Sequence, residues 1–117
     1  MEFVEVNELM IYELRIYTAH PGKLPALQAR FREHTCALFE KHGIKNVGYW
    51  VNAIGGRSDE LWYMLAYEDL AARQKAWAEF GADPEWQEAR AASEVDGPLV
   101  HHTENRIMTP TNFSPLK

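Results

Sequence analysis

The order of elements along this chain predicts an α+β fold of the ferredoxin-like type: a four-stranded antiparallel sheet built as β-α-β-β-α-β, with helices on one face. Three observations carry that expectation. Residues 10–17, MIYELRIY, alternate in the manner of a strand, and a helical run follows them. Residues 45–68 read as two strand-like runs, KNVGYWVN and ELWYMLAYE, around the Gly-rich turn AIGGRSD. A second helical region then leads to a last strand, LVHHTENRIM. With right-handed crossovers, the simplest closed arrangement has strand order 4-1-3-2 and leaves one sheet face bare.

Taken in order, the first strand puts Tyr12, Leu14 and Ile16 on one face and Glu13, Arg15 and Tyr17 on the other. The loop TAHPG breaks it. Residues 23–42 form a helix, because Leu24, Leu27, Phe31, either His34 or Thr35, and Leu38 recur at three- and four-residue steps. Pro25 fits in the first turn, and Gly43 supplies the stop. A second helix runs from an Asp69 cap to Phe80, with Leu70, Arg73, Trp77 and Phe80 on one stripe. Asp83-Pro84 restarts the helix, which continues to about residue 95 and stops at Gly97-Pro98.

In the natural hairpin register Asn52 opposes Glu60, so Trp50 faces Trp62 and Tyr49 faces Tyr63. One face then collects Val47, Tyr49, Val51, Leu61, Tyr63 and Leu65. The other collects Asn46, Gly48, Trp50, Trp62, Met64 and Ala66. Large rings on both faces require two covers. The chain's own helices supply one, and a second copy packing sheet on sheet is the simplest source of the other.

A chain of 117 residues makes one domain, expected over residues 10–109. Residues 1–9 read as a dispensable leader and 110–117 as an extended tail. Composition is 46% hydrophobic and 25% charged, ordinary for a soluble protein, with a net charge of -5. That balance, with scattered basic residues, argues against nucleic acid or an anionic membrane as partner. No apolar run approaches a membrane span, and no signal peptide is visible, so a cytoplasmic location is expected. Cys36 is the only cysteine, which excludes an intramolecular disulfide and a Cys-based zinc site.

YELRIYTAHPGKLPALQARF, the run KHGIKNVGYW and the segment FGADPEWQEARAASE together resemble the NIPSNAP family. The resemblance spans residues 10–116, and its most specific parts are the E-x-R-x-Y strand and the GYW strand. It implies membership of the dimeric α+β barrel superfamily. That superfamily includes cofactor-free monooxygenases as well as haem-degrading and chlorite-converting enzymes, with a ligand cavity between sheet and helices. Nothing in the chain resembles the targeting segments of the mitochondrial and vesicle-linked eukaryotic members.

Tyr12, His34, Tyr49, Tyr63 and Trp77 are the candidate ligand-binding residues, expected around a cavity on the helix-facing side. His34 is the one candidate general base; its competing reading is a hydrogen-bonded core histidine. Glu13 and Arg15 are expected on the open face, pairing with each other or with Glu104 and Arg106. With Trp50, Trp62 and Met64 they form the expected homodimer interface. Arg15 holding a carboxylate-bearing ligand is the functional alternative. No metal site is assigned, since His101 and His102 point to opposite faces and no H-x-x-x-H spacing exists. No cofactor is expected. Cys36 reads as a small buried apolar residue and GGRS as a hairpin turn. Two functions compete. One is a protein that binds a small hydrophobic or aromatic molecule, with cofactor-free catalysis as its enzymatic form. The other is a non-catalytic dimeric interaction module.

Overall fold

A computed structural model describes residues 10–117; the expected leader, residues 1–9, lies outside the described residues. Four strands form one antiparallel sheet: β1 (Ile11–Ala19), β2 (Lys45–Val51), β3 (Glu60–Tyr67) and β4 (Val100–Met108). Their order is β2-β3-β1-β4, which is the expected order read from the opposite edge. No helix among the described residues is long and apolar enough to cross a membrane.

The first helical region is α1 (Leu24–Arg30), a π-helical turn (Phe31–Thr35) and α2 (Cys36–Lys41) in unbroken succession. Pro25 occupies the first turn, where its missing N–H costs nothing. Gly43 leaves the helix at a φ of 80°, a conformation that favours glycine. The π turn widens the helix by one residue and shifts its phase. Phe31, Thr35, Leu38 and Phe39 are buried, while His34 turns outward and is exposed. The spacing left His34 and Thr35 as equal candidates for the inner stripe; the wide turn selects Thr35.

Asp69 caps α3 (Leu70–Ala82) by accepting from the Ala72 N–H at 2.8 Å. The helix runs through Gly81 and stops at Asp83, whose extended backbone ends α3 and begins α4 (Pro84–Ser93). Asp83 also receives His42 at 2.7 Å and Lys41 at 2.8 Å, tying the end of α2 to the α3–α4 corner. Lys41 and His42, with the Glu85 N–H, hold the Asp83 carboxyl below its ordinary range.

Tyr49 opposes Tyr63 and Trp50 opposes Trp62, as expected. The pattern breaks two residues before Tyr49. A register shift between Asn46 and Gly48 inserts an extra residue into β2, so Asn46 opposes Leu65 and Lys45 opposes Ala66. Asn46 therefore faces the helices, where its amide donates to the Cys36 carbonyl at 3.0 Å. This corrects its assignment to the other face.

The larger correction concerns β1. Glu13 opposes Leu65 and Arg15 opposes Tyr63, so both charged residues lie beneath the helices rather than on the open face. Tyr12 opposes Ala66, Leu14 opposes Met64 and Ile16 opposes Trp62. The apolar row of β1 thus faces away from the helices, with Tyr12 in it, and the expected pocket loses that residue. Hydrophobicity alone assigns this strand the wrong way round, because the charged row is satisfied internally.

The core is an aromatic layer between α1–α3 and the sheet. Phe31 packs against Tyr63 at 5.0 Å, Tyr49 at 5.5 Å and Tyr17 at 5.9 Å between ring centroids. Phe39 joins it to Trp77 and Phe80. β4 stands apart: His101 to Ile107 are all exposed, and the strand is held by its ladder to β1.

A buried carboxylate and an aromatic cleft

Glu13 is completely buried, and five donors converge on it. Tyr67 donates its hydroxyl to Oε1 at 2.7 Å. Arg73 forks across the carboxylate, with Nε to Oε1 at 2.9 Å and Nη2 to Oε2 at 3.0 Å. Oε2 also accepts from Arg15 Nη1 at 2.8 Å and from the Asn105 amide at 2.8 Å. Burial alone would raise the carboxyl pKa. The bonds from Arg73, Tyr67 and Asn105 and the charge of Arg15 outweigh it and bring the value from 4.5 down to about 2.

Arg15 fans out from this centre. Its Nε donates to the Tyr63 hydroxyl at 2.7 Å and its Nη2 to the Tyr17 hydroxyl at 3.0 Å. The guanidinium also lies over the Trp77 ring, 4.6 Å from the centroid. Trp77 Nε1 in turn donates to the Tyr67 hydroxyl at 2.8 Å, which closes the network back onto Glu13. Tyr63 is fully buried, and burial pushes its phenol well above the ordinary value, so it serves here as a neutral acceptor. Burial likewise raises Tyr67, reinforced by the Glu13 anion.

Beside this network a cleft of about 420 Å³ opens between sheet and helices. Tyr17, Val100 and Thr103 form its floor. Phe31 and Thr35 on the π turn stand on one side, Trp77 and Phe80 of α3 on the other. Trp86 and Arg90 of α4 and the buried Arg30 complete the wall. A smaller hollow of about 250 Å³ lies between Tyr49, Cys36, Phe31 and Leu61.

The structure scatters the sequence candidates. Trp77 lines the cleft. Tyr63 is buried behind its floor, stacked on Tyr49 at 5.2 Å, and Tyr49 lines only the smaller hollow. Tyr49 donates to Asn46 Oδ1. His34 lies on the outer surface, beside Glu33 and Ala37. It touches no part of the cleft, which removes it as a general base there. Tyr17, Arg30, Thr35 and Trp86 were missed. Of these, Arg30 had a signal: it lies three residues after Leu27, on the stripe that carries the core residues. Among the described residues no group of three or more His, Cys, Asp or Glu side chains could hold a metal.

The NIPSNAP family model matches residues 12–115. The chain belongs to the NIPSNAP family. A curated zebrafish (Danio rerio) relative, Protein NipSnap homolog 2, is 33% identical over 113 residues, covering 92% of this chain and 35% of its own length. The chain thus spans about a third of the length of the curated relatives it matches. Among solved structures, a NIPSNAP family protein of unknown function from Agrobacterium tumefaciens is 31% identical with a TM-score of 0.82, covering 94% of this chain and 96% of that one. SnoaB, a cofactor-independent oxygenase from Streptomyces nogalater, shares the fold at 16% identity and a TM-score of 0.59, over 91% of this chain and 97% of its own. The α+β fold with its four-stranded βαββαβ sheet matches that solved NIPSNAP structure, and a putative antibiotic biosynthesis monooxygenase from Chloroflexus aurantiacus shares it at 18% identity and a TM-score of 0.58.

Glu13 ties pH to the stability of this NIPSNAP domain. Its folded pKa lies below the unfolded value, so its contribution is present above about pH 4.5 and is lost as pH falls toward 2. The shift corresponds to roughly 3 kcal/mol. Urea unfolding from pH 6 to pH 3 should show stability falling through that window. Glu13→Gln should be less stable at pH 6 and flatter with pH. A wild-type-like slope in the variant would remove Glu13 as the source.

Proposed function

We propose that this NIPSNAP protein binds a small hydrophobic or aromatic molecule in the cleft between its sheet and its helices. The observation that carries the reading is the lining. Phe31, Trp77, Phe80 and Trp86 supply flat apolar walls, while Tyr17, Thr35 and Thr103 place a few polar groups among them. The volume, about 420 Å³, lies in the range of small-molecule sites. Rigidity supports it as well, since Trp77 and Tyr17 are both positioned by Arg15. Cofactor-free chemistry on the bound molecule is the enzymatic form of the same proposal.

Thr103 tests the location. It is exposed on the edge strand β4 and opposes Tyr17, so its side chain lies on the cleft side of the sheet. Thr103→Trp should fill the cleft without disturbing the core. Calorimetric titration with 2-naphthol should detect binding to the wild type and a loss of roughly tenfold or more in the variant. Equal affinities would place the binding elsewhere and sink the cleft as the site.

The open sheet face favours a second reading, which is compatible with the first: a homodimer. Leu14, Ile16, Trp62 and Met64 lie on it, and Trp50 is 53% exposed. A second copy applied about a two-fold axis would bury this apolar row against its equivalent. The non-catalytic interaction module is the same assembly without a ligand. Trp50→Glu combined with Trp62→Glu should convert a dimer to monomer or aggregate in sedimentation velocity. An undisturbed dimer in that variant would exclude this face as the interface.

A further inference from the structure

Arg30 ends α1 immediately before the π turn, and its side chain is only 6% exposed. Nη1 donates to Ser93 Oγ at 3.1 Å and to Glu94 Oε2 at 3.3 Å. No other nitrogen of the group has a hydrogen-bond partner among the described residues, and Nε is buried as well. A buried donor without an acceptor is uncommon, and more costly when the group is ionised. The unused Nε–Nη2 edge is the one that receives a planar oxyanion through two parallel bonds. Arg30 lines the cleft, and its guanidinium lies 5.2 Å from the Trp86 ring centroid.

Charge around the cleft points the same way. Glu94 is shared between Arg30 and Arg90, whose Nε lies 3.5 Å from Oε1. Glu13 is shared between Arg15 and Arg73. Each carboxylate offsets one guanidinium, so each cluster keeps one positive charge in a chain whose net charge is -5. Beside the apolar rings of the cleft wall such charges attract an anion more strongly than they would in open water.

We propose that the ligand of the cleft is an aromatic carboxylate, its ring against Trp77 and Trp86 and its carboxylate on the Nε–Nη2 edge of Arg30. This rests on the cleft reading above and adds the charge of the ligand and the residue that anchors it.

Calorimetric titration of 2-naphthoate and its neutral isostere 2-naphthamide separates the two ideas. Wild type should bind the carboxylate roughly tenfold or more tightly than the amide, and Arg30→Met should abolish that preference while still binding the amide. Glu94→Gln leaves an acceptor on Nη1 but removes the negative charge that offsets Arg30, so it should tighten naphthoate binding and leave naphthamide unchanged. Equal affinity of wild type for both probes overturns the inference and leaves the cleft reading standing. Binding of neither probe overturns both. Circular dichroism reports whether Arg30→Met is folded. If it is not, Glu94→Gln decides alone, and an unchanged naphthoate affinity there overturns the inference.

Discussion

A carboxylate sealed inside the fold is tolerable only if its lone pairs are used, and Glu13 meets that condition. Tyr67, Arg73, Arg15 and Asn105 arrive from β3, α3, β1 and β4, so one side chain links three strands and a helix. Removing any one donor would leave part of a buried ion unpaired, which is far more costly than never burying it. Arg15 then passes this order outward. It fixes Tyr63 and Tyr17 by hydrogen bonds and Trp77 by its charge, and two of those three line the cleft. The shape of the cleft wall therefore depends on an ion pair that itself lies outside the cleft.

The same network accounts for the bare sheet face. With Glu13, Arg15 and Tyr17 turned toward the helices, strand alternation sends Leu14 and Ile16 to the opposite side. There they join Trp62 and Met64. The polar row is neutralised within the subunit, and the apolar row is left facing outward. β4 illustrates the economy of the arrangement. It is exposed along most of its length, yet Asn105 anchors it to the central carboxylate.

Element order, helix caps and hairpin register were legible in the sequence because each has a local cause. Asp69 and Asp83 announce their helices, and the paired Tyr-Trp and Trp-Tyr steps align β2 with β3. The face of β1 was not legible. Alternation separates Tyr12, Leu14 and Ile16 from Glu13, Arg15 and Tyr17, but choosing the inner row needs partners 52 to 92 residues away, such as Leu65 and Asn105. The π turn was hidden for a similar reason. Phe31 to Thr35 has ordinary helical composition, and only packing against the sheet decides that Thr35 points inward and His34 outward. Consequently Tyr12 and His34, on β1 and the first helix, turn away from the cleft, while Trp77, on an undistorted helix, lies in its wall.

The cleft wall depends on Glu13 remaining an anion inside the fold, and its side-chain carbon reports that directly. Carbon-13 NMR of the Glu13 Cδ across a pH titration of the folded protein should show a resonance that stays at its ionised position down to about pH 3.5, while exposed glutamates titrate near their ordinary values. A Glu13 resonance that titrates at 4.5 or above in the folded state would contradict the buried, shared carboxylate on which the cleft depends.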